Sequence, residues 1–135
     1  MTQESKHFME LERMTSTKEV LERHLQSLAA RDLDGILADY AADIVALTPE
    51  GFFTPSGVLQ GKPAMREAFE KLLADFAKPG ASFNMKQMSI AGDYAYIVWN
   101  ADTPDYTYEP ASDTFIFRGD KIVAQTFAAK ITPKR

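Results

Sequence analysis

The sequence contains no cysteine in its 135 residues. That excludes disulfides, thiolate zinc sites, iron–sulfur clusters and a cysteine nucleophile. Histidine is nearly as scarce: only His7 and His24 are present, too few for a histidine-rich metal site, and no metal is expected. A surplus of basic charge is also missing. Lys plus Arg is 15 against 19 Asp plus Glu, a net charge of −4. With an isoelectric point near 5.1 there is no electrostatic footprint for nucleic acid. Apolar runs are a few residues long, far short of the ~20 that span a bilayer, so no membrane contact is expected. The opening MTQESKHFMELERM lacks the apolar stretch of a secretory leader, and a cytoplasmic location is the expectation. The seven glycines are scattered and form no phosphate-cradling loop or nucleophile elbow. No cofactor is expected.

What is present is the balance of an ordinary globule, 45% apolar and 25% charged. The length suits one domain with one core. Residues 1–15 are polar with scattered Phe8, Met9 and Leu11, which reads as a tail or a short extra helix. Ser16 followed by Glu19 has capping-box spacing, so the first helix is expected from Ser16 to about Arg31. Its stripe is Val20, Leu21, Leu25, Leu28 and Ala29. Asp32 suits the cap of a short second helix carrying Leu33, Ile36, Leu37 and Tyr40. Ile44 to Leu47 is β-prone and ends at Pro49. Lys62-Pro63 opens a third helix, with Met65, Ala68, Phe69, Leu72, Leu73 and Phe76 at spacings of three and four.

The remainder reads as strands. Phe83–Ala91 and Tyr94–Ala101 flank Gly92-Asp93, and Tyr106–Phe117 and Lys121–Ile131 flank Arg118-Gly119-Asp120. Helices first and a meander after predict an α+β domain with helices on one face of the sheet. Residues 32–60 carry five acids and no base, and residues 101–113 carry four. These read as solvated loops and helix starts rather than an EF-hand loop, whose ligand spacing is absent.

These residues carry a resemblance. The stretch VLERHLQSLAARDLDGILADYAADIVALTPEG resembles the opening of the nuclear transport factor 2-like superfamily, which includes ketosteroid isomerase, SnoaL-like polyketide cyclases and limonene epoxide hydrolase. LQGKPAMREAF and FRGDKIVAQTF are similar to its third helix and final hairpin. The likeness covers about residues 16–131. It implies a cone-shaped, strongly bent antiparallel sheet packed on three N-terminal helices, as in nuclear transport factor 2-like and cystatin-like folds. Residues 16–135 would form a single SnoaL-like domain with a pocket for a small apolar ligand.

The resemblance transfers residue by residue. The isomerase's general-base aspartate falls on Thr48, before Pro49. Threonine cannot shuttle a proton near neutral pH, which argues against a true steroid isomerase. The oxyanion-hole tyrosine falls on His24, and the second oxyanion donor, a protonated aspartate, on Asp113 in SDTFIF. Of the supporting tyrosines, Tyr40 is retained and the other is Phe69. The limonene epoxide hydrolase relay puts its last-strand aspartate on Phe127 and finds no arginine partner, since Arg118 sits in a turn.

Each residue has a plainer reading beside the functional one. His24 is in line with the buried stripe of the first helix, either as a core histidine with one hydrogen bond or as a polar group facing a pocket. A three-residue turn would pair Asp113 with Gln125 on an apolar face, where burial raises a carboxyl pKa, and a two-residue Gly-Asp turn would shift that pairing by one. Asp113 is alternatively a solvent-facing acid at a strand start. Gln125 and Thr48 are polar residues in apolar strands, bound to a ligand or to a neighbour. Trp99, Phe52, Phe53, Tyr96 and Phe127 are rings packed in the core or on a dimer face, or else pocket walls.

The site expected from the resemblance has His24 and Asp113 as catalytic groups, and Tyr40, Thr48, Phe53, Phe69, Trp99, Gln125 and Phe127 around the ligand. The function implied is an isomerase-, cyclase- or hydrolase-type enzyme acting by acid–base chemistry on a carbonyl compound. The alternative is a non-catalytic small-ligand-binding or dimeric interaction domain. A homodimer is expected through the outer sheet face. Both faces of the 83–101 hairpin carry large groups: Ile90, Met88, Ile97 and Trp99 on one, and Phe83, Met85, Val98 and Tyr96 on the other.

Overall fold

The computed structural model describes residues 3–134, with side chains from Ser16 onward. Three helices, α1 (Gln3–Ala29), α2 (Leu33–Ala38) and α3 (Gly61–Phe76), pack on one face of six strands. The strands are β1 (Tyr40–Leu47), β2 (Val58–Gln60), β3 (Ser82–Ala91), β4 (Tyr94–Asp102), β5 (Tyr106–Arg118) and β6 (Lys121–Pro133). They lie in the order β2-β1-β6-β5-β4-β3 in a strongly curved open sheet. Every neighbouring pair is antiparallel except β1 with β6, which is parallel. The sheet is therefore mixed, because β1 is separated from its long partner by most of the chain rather than by a turn.

Local signals account for most elements. Asp32 caps α2 by accepting from the Gly35 N–H at 3.1 Å. Pro63 lies in the first turn of α3, and Met65, Ala68, Phe69 and Leu73 are its buried face. α1 begins before Ser16, so Ser16 and Glu19 lie within the helix rather than at its cap. The reading of residues 1–15 as a tail or an extra helix turns on side chains outside the described residues. Thr17, Val20, Leu21 and His24 form the buried stripe of α1, and the Thr17 hydroxyl donates to the Gly92 carbonyl at 2.8 Å. Tyr40 opens β1 instead of closing α2.

Two bulges decide which side chains face the helices. Arg118 pairs with Lys121, so the β5–β6 turn has two residues, Gly119 and Asp120, and not three. Alone, that would put Gln125 and Phe127 on the face opposite Asp113. The register then shifts at Val123, with Phe117 on Ile122 and Ile116 on Ala124. The shift restores the alternation, and Asp113 pairs with Phe127 while Phe115 pairs with Gln125. A second bulge, at Lys86, places Met85 opposite Trp99 and Phe83 opposite Ala101. Phe83 and Met85 therefore share the inner face with Ile97 and Trp99, contrary to simple alternation. The outer face keeps Tyr94, Tyr96 and Val98. Among the described residues no helix is long and apolar enough to cross a membrane.

Candidate functional site

The concave face and the helices enclose a cavity of about 390 Å³. Its walls are mainly apolar, with Leu25 and Leu28 from α1, Met65, Phe69 and Leu72 from α3, and Ala46, Leu59, Ile97 and Phe115 from the sheet. Of the nine residues expected at the site, eight line this cavity: His24, Thr48, Phe53, Phe69, Trp99, Asp113, Gln125 and Phe127. Tyr40 does not. It is fully buried, one layer behind the wall.

The polar groups on the deep wall form one connected chain. Trp99 Nε1 donates to Asp113 Oδ1 at 2.7 Å, and Gln125 Nε2 donates to Asp113 Oδ2 at 2.8 Å. Tyr40 donates its hydroxyl proton to Gln125 Oε1 at 2.5 Å. His24 Nε2 lies 3.4 Å from the same hydroxyl, beyond the span of a strong bond. His24 Nδ1 lies 3.1 Å from Asp39 Oδ2, while Arg23 Nε and Nη2 donate to Asp39 Oδ1 at 2.9 and 2.6 Å. Because Tyr40 has one proton and it points at Gln125, the contact with His24 becomes a hydrogen bond only when Nε2 is protonated.

Electrostatics follow from this wiring. Burial raises the Asp113 carboxyl to about 6, against the opposing effect of its N–H partners Trp99 and Gln125. At neutral pH the anion then outnumbers the acid about tenfold. Asp113 thus has both its oxygens held and keeps further lone pairs for a proton from the cavity. Burial also acts on Asp39, but the bonds and charges of His24 and Arg23 outweigh it and hold this carboxyl below its ordinary value. The Tyr40 hydroxyl is pushed well above its ordinary range by burial and then by the charges of Asp113 and Asp39. Tyr40 remains a neutral donor.

Aromatic rings fix the frame. Trp99 is stacked between Phe83 at 5.2 Å and Phe127 at 5.9 Å, ring centroid to centroid. Phe53 reaches the cavity beside Phe127, whereas Phe52 turns away onto Tyr106 and Tyr108. Thr48 lines the cavity, but its hydroxyl proton goes to the Gly57 carbonyl at 2.9 Å. That contact closes the loop between β1 and β2. A Cβ at Gly57 (φ +79°) would sit 2.3 Å from the Thr48 carbonyl oxygen, so only glycine fits.

Asp39 and Arg23 are the partners the sequence reading missed. The available signal was chemical: a buried histidine needs a partner, and Asp39 lay in an acid-rich stretch without bases. Four other acids of those stretches go to surface pairs, Asp34 with Arg66, Asp43 with Arg118, Asp102 with Lys134 and Asp105 with Lys78.

A small α+β domain whose bent sheet and helices close over a ligand-sized cavity is the class this geometry defines. The chain belongs to the family of the SnoaL-like domain, whose family model matches residues 21–125. No curated protein matches it in sequence. Solved structures share the fold. An NTF2-like protein of unknown function from Mesorhizobium loti is 20% identical, with a TM-score of 0.71 over 87% of this chain and 93% of its own. A SnoaL-like protein of unknown function from Burkholderia thailandensis is 21% identical, with a TM-score of 0.68 over 86% and 95%. A candidate ketosteroid isomerase from Kribbella flavida is 14% identical, with a TM-score of 0.69 over 87% and 79%. At such identities the likeness establishes the fold.

Proposed function

We propose that this chain is a pocket enzyme that moves a proton on an apolar carbonyl compound, with Asp113 and His24 as its acid–base pair. One observation carries the reading: a carboxylate with both oxygens held by N–H donors stands on the wall of a mainly apolar cavity. A base there loses little entropy to reorientation and meets its substrate without competing water. His24 is oriented by Asp39 through Nδ1, and when the ring carries both protons Nε2 can donate to a developing oxyanion. The absence of a carboxylate at Thr48 separates this arrangement from a steroid isomerase.

The reading is tested by exchange of the α-hydrogens of 2-tetralone in deuterated buffer, followed by proton NMR. The native protein is expected to accelerate exchange, and Asp113→Asn to lose about 10²–10⁴-fold of that acceleration. Bound tetralone that exchanges at the background rate would sink the catalytic reading. The second reading, a non-catalytic binder of small apolar molecules, would then stand. It draws support from Thr48, whose hydroxyl is tied to Gly57 and unavailable for chemistry.

The reading includes a homodimer, sheet to sheet. Its support is the outer face, where Val45, Leu47, Val58, Tyr94 and Tyr96 are 37–59% exposed and none of the three helices packs. Light scattering is expected to give the mass of two 15.1 kDa chains, and Leu47→Asp to give one. A native protein that scatters as a single chain refutes the dimer.

A further inference from the structure

We infer that Arg31 is the anchor for a carboxylate carried by the molecule that fills the cavity, so that the ligand is an apolar acid with its carbonyl end toward Asp113. The inference rests on the cavity being a ligand site, as proposed above.

The starting point is a backbone that works against its own side chain. α1 ends with two interlocked bonds, Arg31 N–H to Leu28 O at 3.0 Å and Asp32 N–H to Ser27 O at 2.9 Å. This closure needs a left-handed residue at Arg31, and φ there is +55°. Glycine normally fills such a position because an L side chain is strained in it. Arg31 is the only non-glycine residue with positive φ among those described. Strain of this kind persists where the residue serves something other than the fold.

The fold makes no use of the side chain. Among the described residues the guanidinium has no hydrogen-bond or ion-pair partner. The nearby acids are engaged elsewhere. Asp32 accepts from Gly35, Asp34 from Arg66, and Asp39 from Arg23 and His24. Yet Arg31 lines the cavity. It does so at the open end, with the exposed Ala29, Ser82 and Phe83, while the buried His24, Asp113 and Gln125 form the deep end. Among the described residues Asp113, His24 and Arg31 are the only ionisable side chains on the lining, and of these Arg31 alone is a permanent cation.

The chemistry of recognition follows. A guanidinium presents parallel N–H groups that match a carboxylate. On a lining shared with Leu28 and Phe83 the attraction is less screened than in open water. The chain as a whole carries −4, so an anion gains little from the general field and needs a specific cation. A ligand with a carboxylate at Arg31 and an apolar body inward would present its far end to Asp113 and His24.

The probes are 2-naphthylacetate and its neutral isostere 2-naphthylacetamide, titrated by calorimetry at pH 8 into the native protein and into Arg31→Gly. The native protein is expected to bind the acid about tenfold tighter than the amide, a preference that shrinks with added salt. Arg31→Gly is expected to bring the acid down to the amide's affinity and, because glycine suits the backbone, to melt at a higher temperature than the native chain. Equal binding of acid and amide by the native protein overturns the anchor and leaves the cavity reading intact. So does an Arg31→Gly protein that keeps the preference, or one that loses both probes equally. A lower melting temperature for Arg31→Gly would assign the side chain to the fold and overturn the inference as well. Failure of the native protein to bind either probe removes the cavity reading and the anchor with it.

Discussion

Replacing Asp39 with alanine is expected to cost the fold on the order of 3–5 kcal/mol, the usual loss when one partner of a buried ion pair is deleted. Asp39 is 1% exposed and His24 0%. The alanine leaves His24 Nδ1 without its acceptor in a place water does not reach. Arg23 is affected less, since its side chain is 55% exposed and rehydrates. Asp39→Asn keeps an oxygen for His24 and is expected to cost less than the alanine. Replacing both His24 and Asp39 with leucine is expected to cost less than Asp39→Ala alone, because no orphaned polar group remains. Urea denaturation at pH 7 reads all of these. A loss below about 1 kcal/mol for Asp39→Ala would match a solvent-exposed pair and would show that Asp39 does not hold His24. The pH dependence has a defined sign. Asp39 is held below its unfolded value of 3.8, so its contribution is fully present above that value. It is lost as pH falls through the lower folded value.

Which parts of this molecule could be read from sequence depends on how far apart the cooperating residues lie. The stripe of α3, the Asp32 cap and the β3–β4 turn at Gly92-Asp93 are each contained within a few residues, and each was legible. β2 is three residues long and exists because β1 offers it an edge, which no local pattern announces. The parallel pairing of β1 with β6 joins Ala46 to Gln125 across most of the chain and is equally silent. Bulges are harder still. The expected three-residue turn at Arg118-Gly119-Asp120 was wrong by one residue, and the unseen bulge at Val123 shifted the register by one more. The two offsets preserve the alternation, so Asp113 stays with Phe115 and Gln125 on the inner face. At Lys86 nothing compensates, and Phe83 and Met85 change faces.

The site shows the same division. Resemblance led to His24 and Asp113, and helical spacing placed His24 on the buried stripe of α1. What makes His24 chemically specific is Asp39, on the next element, where no spacing rule reaches. Arg31 looked like the last residue of a helix. Its left-handed backbone was invisible because the usual sign of such a corner is glycine, and the sequence has arginine there.

Asp113 is expected to make the fold less stable as pH rises between about 4 and about 6, the reverse of what most carboxylates do. Its unfolded value is 3.8 and its folded value about 6, raised by burial. Between these limits the folded chain holds a proton that the unfolded chain has released, so stability falls with increasing pH. Integrated over about two pK units at ~1.4 kcal/mol each, the loss is about 3 kcal/mol. It is fully incurred above the folded value and absent below the unfolded one. Ordinary acid-side losses, including that of Asp39, run in the opposite direction and obscure the slope in the native protein alone. The comparison that isolates it is between native protein and Asp113→Asn, unfolded with urea at intervals from pH 4 to pH 8. Asparagine brings a constant cost of its own. Its amide N–H groups face Gln125 Nε2, whose side chain cannot turn over while Tyr40 holds Oε1. That cost does not vary with pH and drops out of the slope. The native protein is therefore expected to lose about 3 kcal/mol relative to the variant across the interval, with the midpoint of the change near pH 5. Parallel stability curves would mean that Asp113 titrates as an ordinary surface acid. The cavity would then hold no poised base, and the chain would be a binder of apolar molecules and not an acid–base enzyme.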